Sequence, residues 1–478
     1  MIQLINLIFQ VLFSLFEGLV IGISDIIVTL VPERKNTQYQ ADFADASALL
    51  SKRGNGFCIG EWSNSVEESH NHMICLGGSG SKKSSSIVFN TVLQAHVSTL
   101  VIIDPSKEIF HKTATALEQQ GKKILILDYN NPSQSEGFNV LSKGMSYTDV
   151  YKVANTLIRN SLEGSTYDYW AQSAESMVAF FCKYLIEYAE EKYVNLPNVL
   201  YLLRVFSYAP KKIDALMVKT SPQMLSEYKS IVVTPDKTLQ STLSTAKNAL
   251  RIYEMPNIAS ITARSTFSFA QLREQNCALF ICSSAADSFL YRAITATFFE
   301  SLFAYILSTP PYQKDVYPLM LIMDEAATMK ISLSQALALT RKHRVSIATF
   351  WQDFNQIEQI YGKYEAANIF SNSQLKVFMP SGQPLATCKM LSELLGKFTY
   401  EVEGQTKVRE LLTAQEVFQL HQMLVLLGNN KPMLIEAKQY FNIKRLRALT
   451  DLPSYIPSIK SIVAEDVFLP IESSDEKK

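Results

Sequence analysis

The sequence is short of cysteine, of net charge and of metal-ligand spacing, and each shortage removes a class of function. Its six cysteines (Cys58, Cys75, Cys182, Cys277, Cys282 and Cys388) include no Cys-x-x-Cys pair, which argues against a zinc site. Several lie inside apolar runs, where cysteine acts as a small hydrophobe, and this fits a reducing cytoplasm. Lys plus Arg total 45 against 45 Asp plus Glu, so no whole-protein basic field exists to attract nucleic acid. Any such contact must come from local patches such as Lys211 and Lys212, Lys342 to Arg344, or Lys444 to Arg447, each of which reads first as a solvated face. The first apolar run offers neither a convincing basic leader nor a convincing small-residue cleavage site, which argues against a secretory signal peptide.

What that first run does have is length. Residues 2–31 are apolar enough to span a bilayer and are closed by Pro32, Glu33, Arg34 and Lys35. Positive charge on the C-terminal flank alone places everything downstream in the cytoplasm. Gln3, Asn6, Gln10, Ser14, Glu17 and Asp25 form a polar stripe along this helix, which implies association with itself or with another membrane protein. At 478 residues the chain exceeds one simple core, and two folded units plus appendages are expected.

Residues 72–113 read as an apolar strand, a glycine and serine turn, a helix, and a second apolar strand ending on Asp104. This is the pattern of a phosphate-binding βαβ unit. The turn Gly77, Gly78, Ser79, Gly80, Ser81, Lys82, Lys83, Ser84, Ser85 matches the P-loop pattern G-x-x-x-x-G-K-[ST] except at one position. Glycines admit backbone amides to phosphate, the helix that follows offers its positive end, and the lysine and hydroxyl serve the outer phosphates and magnesium. Lys83 and Ser84 fit the last two roles. Lys82 stands where the second motif glycine belongs. An ordinary βα connection with an exposed Lys-Lys pair is the alternative.

A second site lies about 240 residues on, where YPLMLIMDEAATM ends an apolar strand in Asp324 and Glu325. It has the form of a Walker B strand. Such a strand is expected beside the P-loop strand in a parallel sheet, with Asp324 near magnesium and Glu325 orienting or activating a water.

Around these motifs the chain divides by periodicity. The expected fold is α/β: a RecA-like P-loop NTPase domain with a parallel central sheet, an inserted all-α domain and an N-terminal transmembrane helix. The expected divisions are the membrane helix 1–35, nucleotide-binding segments 36–142 and 256–450, an all-α insertion 143–255, and a flexible tail 451–478. Further strands are read at CALFICSS, VSIATFWQ, QLKVFMP, MLVLLG and PMLIEA. Arg341, in a helix-like segment before VSIATFWQ, is a candidate arginine finger for a neighbour's γ-phosphate, and Gln352 a candidate sensor of that phosphate. A basic helix end explains Arg341 equally well, and sequence does not separate it from Lys342 and Arg344.

Together these residues resemble the type IV secretion coupling proteins, the TraG/TraD-like conjugation ATPases. The resemblance covers roughly residues 40–447. It includes GFCIG, His72, the P-loop unit, IIDPSKEIFHKTATALEQQGKKILILD with GFNVL, YDYWAQSAESMVAFF, ARSTFSFAQL, LMLIMDEAATM, ALTRKHRVSIATFWQDFNQIEQIYGK, NIFSNSQLKVFM and LLTAQEVFQL, in colinear order. It implies a membrane-anchored ATPase, using ATP and Mg2+ and working as a homo-hexamer, that docks on secretion-channel subunits at the bacterial inner membrane. Its cargo would be relaxase-bound single-stranded DNA or an effector protein. By motif position Lys83, Ser84, Asp324, Glu325, Arg341 and Gln352 take the roles given above. The chain departs from many members in its single hydrophobic stretch and in Lys82. Two other functions stay open here: a non-hydrolysing receptor with a degenerate P-loop, and a double-stranded DNA translocase.

Overall fold

A computed structural model of the chain describes residues 40–162, 167–284, 286–380, 383–457 and 468–471. The apolar stretch at 2–31 and its polar stripe lie outside them. Among the described residues no helix is long and apolar enough to cross a membrane.

Strands form where the sequence runs continuously apolar, because most are buried on both faces of the sheet. In chain order they are β1 (Met73–Leu76), β2 (Thr99–Asp104), β3 (Lys123–Asp128), β4 (Cys277–Cys282), β5 (Leu319–Met323), β6 (Val345–Trp351), β7 (Leu375–Phe378), β8 (Met423–Leu427) and β9 (Met433–Ile435). Among the described residues they make one nine-stranded sheet in the order β9-β8-β7-β1-β6-β5-β2-β4-β3. Every pairing from β7 to β3 is parallel. β8 pairs antiparallel with both β7 and β9, so the sheet is mixed, not wholly parallel as expected. The β8–β9 loop is too short for a crossover and permits only a hairpin.

The order corrects a second expectation. The Walker B strand β5 does not lie beside the P-loop strand β1, because β6 stands between them and pairs with both. All three end at the same carboxyl edge, with Leu76 opposite Trp351 and Met323 opposite Thr349. A parallel sheet gathers loops from non-adjacent strands at one edge in this way.

Ile102, Phe280, Met320, Ile322, Ala348 and Val377 are buried on this sheet, together with Val92, Leu93, Ala114 and Leu117 from the covering helices. Each fully buried aliphatic side chain of this kind contributes about 1.5–3 kcal/mol. The helix Glu108–Gln119 shows how local sequence sets an element. Asp104 Oδ2 accepts from Phe110 N at 2.7 Å and Ser106 Oγ from Glu108 N at 3.3 Å, supplying partners for the orphan amides of its first turn. Ile109, Phe110, Thr113, Ala116 and Leu117 face inward, and the chain leaves the helix through Gly121 at φ +85°.

Between β3 and β4 the chain is helical, with principal helices Tyr147–Ser161, Tyr169–Tyr188, Leu196–Tyr208, Pro222–Val232 and Asp236–Leu250, and a last short pair at Pro256–Thr262 and Phe269–Glu274. Side-chain oxygens of Ser146, Asp168, Asn195 and Ser221 cap four of these. Phe181 packs on Phe206 and Phe180 on Tyr228, so this aromatic stripe is core. The helices belong to the same compact unit as the sheet, Phe43–Leu391 with Ala414–Lys478. The second unit, Met1–Asp42 with Ser392–Thr413, contains an antiparallel ribbon of Lys397–Val402 against Gln405–Glu410, which sequence reading did not separate.

The expectation of a free tail from residue 451 fails for its described parts. Leu452 and Tyr455 pack on the core, Thr115 Oγ1 donates to Pro453 O at 2.6 Å, and Leu469 N donates to Asn198 Oδ1 at 2.8 Å. Apolar residues scattered among polar ones found surface grooves that no periodicity announces.

Candidate nucleotide site

The carboxyl ends of β1, β5, β6 and β2 bound a cleft of about 730 Å³. Its wall runs from Ser79 to Ser85 along the P-loop and continues through Ser106 and Glu108 after β2, Asp324 and Glu325 after β5, and Gln352 after β6. The predicted glycines Gly77 and Gly78 form the loop's entry just behind this wall. A Cβ on Gly77 would stand 2.5 Å from Met379 Cβ, so only glycine fits.

The loop turns through left-handed backbone at Gly80 and again at Lys82, both at φ +73°. The backbone therefore favours the motif glycine that Lys82 replaces, and an L-residue in this region costs on the order of 1–2 kcal/mol. The Lys82 side chain is exposed, and its carbonyl accepts from Ser86 N at 2.9 Å and Ser86 Oγ at 2.7 Å. The helix then opens with one π turn, Ser84–Val88, before continuing as Phe89–Gln94.

Lys83 Nζ folds back to the carbonyls of Gly77 and Gly78, the latter at 3.0 Å. Burial pushes its pKa down, opposed in part by the Asp324 carboxylate. Ser84 Oγ donates to Asp324 Oδ2 at 2.8 Å, joining the two motifs. Burial pushes the Asp324 carboxyl up and the Ser84 bond pulls it down, while burial and then the Asp324 charge push Glu325 up. Asp104, at the end of β2, is pushed up by burial to about 6. Gln352 lies in the cleft with its backbone N donating to Gln356 Oε1 at 2.9 Å.

Arg341 is not part of this cleft. It stands in a short turn, Arg341–His343, before the first residue of β6, at the amino edge of the sheet. Seven residues of strand, roughly 23 Å, separate that edge from Gln352. Within its own subunit Arg341 cannot reach a nucleotide held by the P-loop. Arg344, which sequence could not distinguish from it, is committed to the carbonyls of Gln313, Lys314 and Val316, whereas Arg341 is exposed.

Sequence reasoning missed Ser106, Glu108, Phe289, Gln356 and Gln439 in this cleft. Glu108 follows β2 closely in DPSKE and Gln356 lies one helical turn past Gln352, so both had a local signal. Gln439 had none: its Nε2 donates to Ser85 Oγ at 3.1 Å across 354 positions. The GFCIG segment supports the loop from behind, with Gly60 N donating to Ser86 O at 3.1 Å and Asn90 Nδ2 to Gly60 O at 2.7 Å.

The model of the family described as type IV secretory system conjugative DNA transfer matches residues 32–460. The chain belongs to that family. Among curated relatives, the type IV secretion system-coupling protein VirD4 of Bartonella henselae is 22% identical over 422 residues, 81% of this chain and 66% of that protein. A probable conjugal transfer protein TraG of Sinorhizobium fredii is 23% identical over 389 residues, 74% of this chain and 58% of that protein. The chain thus spans 66% of the length of the first of these relatives and 58% of the second. Of solved structures, the plasmid coupling protein TrwB in complex with ADP and Mg2+ superposes with a TM-score of 0.66 at 18% identity, covering 84% of this chain and 95% of that one. TrwB in complex with a non-hydrolysable ATP analogue gives 0.65 at 17% identity. Membership of the conjugative DNA transfer family and this α/β P-loop NTPase fold agree with the resemblance read from the motifs.

Proposed function

We propose that this chain is a membrane-anchored coupling ATPase that delivers relaxase-bound single-stranded DNA, or an effector protein, to a type IV secretion channel. The observation that carries the ATPase part of the reading is the Ser84–Asp324 contact at 2.8 Å, which brings a P-loop hydroxyl and a Walker B carboxylate together at one strand edge, while the coupling role is supported by the family match over residues 32–460. Two hard oxygens at that spot, from Ser84 and Asp324, fit Mg2+ and would be the residues that hold it. Held by Ser84 and Asp324, the metal would supply neutralisation of charge on the outer phosphates. The backbone of Ser79 to Ser84 cradles the phosphates, and Lys83 turns from the loop carbonyls to the outer ones. Glu325 orients the attacking water, and Gln352 contacts the γ-phosphate from β6. Arg341, at the opposite edge, acts only on a neighbour's nucleotide, so full turnover needs a ring; we take that ring to be a homo-hexamer. The apolar stretch at 2–31 anchors it in the inner membrane.

A receptor that binds without turning over is the second reading, favoured by Lys82 in left-handed backbone. ATP hydrolysis by the detergent-solubilised full chain, with and without single-stranded DNA, decides between them. Turnover stimulated by DNA is expected, with Lys83→Ala and Glu325→Gln lowering it at least about a hundredfold while the fold stays intact. Wild-type protein without turnover, regained by Lys82→Gly, establishes the receptor instead. Unchanged turnover in either catalytic variant removes the assignment of these residues.

A further inference from the structure

The stretch that follows the Walker B carboxylates is held by side chains, not by backbone pairing. Ala327 and Thr328 line the nucleotide cleft beside Glu325. After the buried Met329, three consecutive amides each donate to a side-chain oxygen from a different helix. Lys330 N reaches Asn160 Oδ1 at 3.0 Å, Ile331 N reaches Tyr361 Oη at 3.4 Å, and Ser332 N reaches Glu300 Oε1. Asn160 alone holds its peptide in both directions, since its Nδ2 also donates to Lys330 O at 2.9 Å. It grips that peptide as a paired strand would.

Asn160 differs from the other two in origin. Tyr361 and Glu300 stand on helices of the nucleotide fold, Phe354–Tyr361 and Arg292–Ser308, whereas Asn160 belongs to Tyr147–Ser161, the first helix of the insertion. It is 5% exposed, so its amide is not competing with solvent. A second route joins the same residue to the cleft. Asn160 O accepts from Arg292 Nε at 2.6 Å, the Arg292 guanidinium lies 3.7 Å from the Phe289 ring centre, and Phe289 lines the nucleotide cleft. Both the Walker B turn and the Phe289 wall therefore end on one residue of the insertion.

We propose that Asn160 is a positioning residue for ATP hydrolysis and the joint through which the nucleotide cleft and the helical insertion sense each other. The proposal rests on the ATPase reading above. Glu325 must be placed to within a fraction of an ångström to orient water, and the turn that follows it, closed on Glu325 O by Thr328 N at 3.2 Å and Thr328 Oγ1 at 2.9 Å, is tied to the insertion through Lys330 and Asn160. A conformational change needs a two-state element that both sites bias, and the segment Glu325–Ser332 is held from both.

The test uses the full chain in detergent with Asn160→Ala, Asn160→Asp and Tyr361→Phe, each first shown to be folded by its thermal transition. In Asn160→Ala, nucleotide affinity should stay within about twofold while kcat falls roughly tenfold to a hundredfold, a split that a loss of fold alone does not give. Asn160→Asp keeps the acceptor for Lys330 N but turns a second acceptor toward Lys330 O, and should fall as far. Amide hydrogen exchange supplies a readout independent of turnover. Adding a non-hydrolysable ATP analogue with Mg2+ should change protection at 330–332 and at 147–161 in wild-type protein. The response at 147–161 should be reduced in Asn160→Ala, whose backbone carbonyl still accepts from Arg292 Nε, and persist in full in Tyr361→Phe, which loosens the segment without touching the insertion. Wild-type kcat in folded Asn160→Ala, or an exchange response at 147–161 that is absent from wild type or kept at its wild-type size in Asn160→Ala, overturns the proposal. A wild-type protein with no turnover would sink the ATPase reading, and the exchange comparison would still decide this one.

Discussion

The Ser84 hydroxyl donates to the Asp324 carboxylate across 2.8 Å, although the two are 240 positions apart and their strands are not neighbours. The bond pre-aligns both oxygens toward one point. Removing either partner should therefore act on the metal before it acts on the nucleotide. In Ser84→Ala, Mg2+ should no longer strengthen nucleotide binding, while binding in EDTA should match wild type. Titration of a fluorescent ATP analogue with and without Mg2+ reads this directly. Equal Mg2+ enhancement in the variant would show that the hydroxyl is not a metal ligand.

Lys82 poses a separable question of backbone and charge. Its φ of +73° suits glycine, so Lys82→Gly should relieve on the order of 1 kcal/mol of strain, offset in part by the greater freedom of an unfolded glycine. Lys82→Ala keeps the strain and removes the cation. Urea unfolding should rank the glycine variant as most stable, with lysine and alanine together below it. If alanine joins glycine, the lysine charge and not its backbone is the cost. Turnover measured on the same three proteins then states which property the natural sequence retains at the phosphates.

Local patterns carried much of the site, and their limits follow from the physics of sheets. Apolar runs ending in Gly77, Asp104 and Asp324 were legible because a strand buried on both faces has no polar residue until it leaves the core. The neighbour of β5 was not legible. Strand order is set by crossovers and helix packing between segments hundreds of residues apart, and so β6 rather than β1 lies beside the Walker B strand. Gln439 on Ser85 and Asn160 on Lys330 are similarly long-range pairs made by single polar side chains, which leave no periodic trace. The edge on which Arg341 sits was available from sequence, since a residue that precedes a parallel strand lies opposite the loops that follow it. In Lys342 to Arg344 the same turn shows why composition misleads: His343 is buried and Arg344 is spent on three carbonyls.

That amino edge also holds two buried histidines whose titration makes stability depend on pH. His72 Nδ1 accepts from Ile347 N at 3.1 Å and His70 Nδ1 meets Ser346 Oγ at 3.0 Å, tying the start of β1 to β6. Burial lowers His72 to about 3, with the Leu337 backbone favouring its proton and His70 and Arg341 opposing it, and lowers His70 to about 4, with Arg344, Arg273 and Arg341 opposing its proton and Glu67 favouring it. Both rings are neutral in the fold and titrate near 6.5 when unfolded. Between pH 6.5 and these lowered values the unfolded chain binds more protons, so stability is complete above 6.5 and is lost as pH falls through the window. Each ring can contribute a slope of up to about 1.4 kcal/mol per pH unit there. His72→Asn tolerates the local φ of +63° and offers an amide oxygen to Ile347 N, but does not titrate. Urea midpoints at pH 7, 6 and 5 should fall less steeply for this variant than for wild type. Parallel pH profiles would mean that His72 does not carry the acid response.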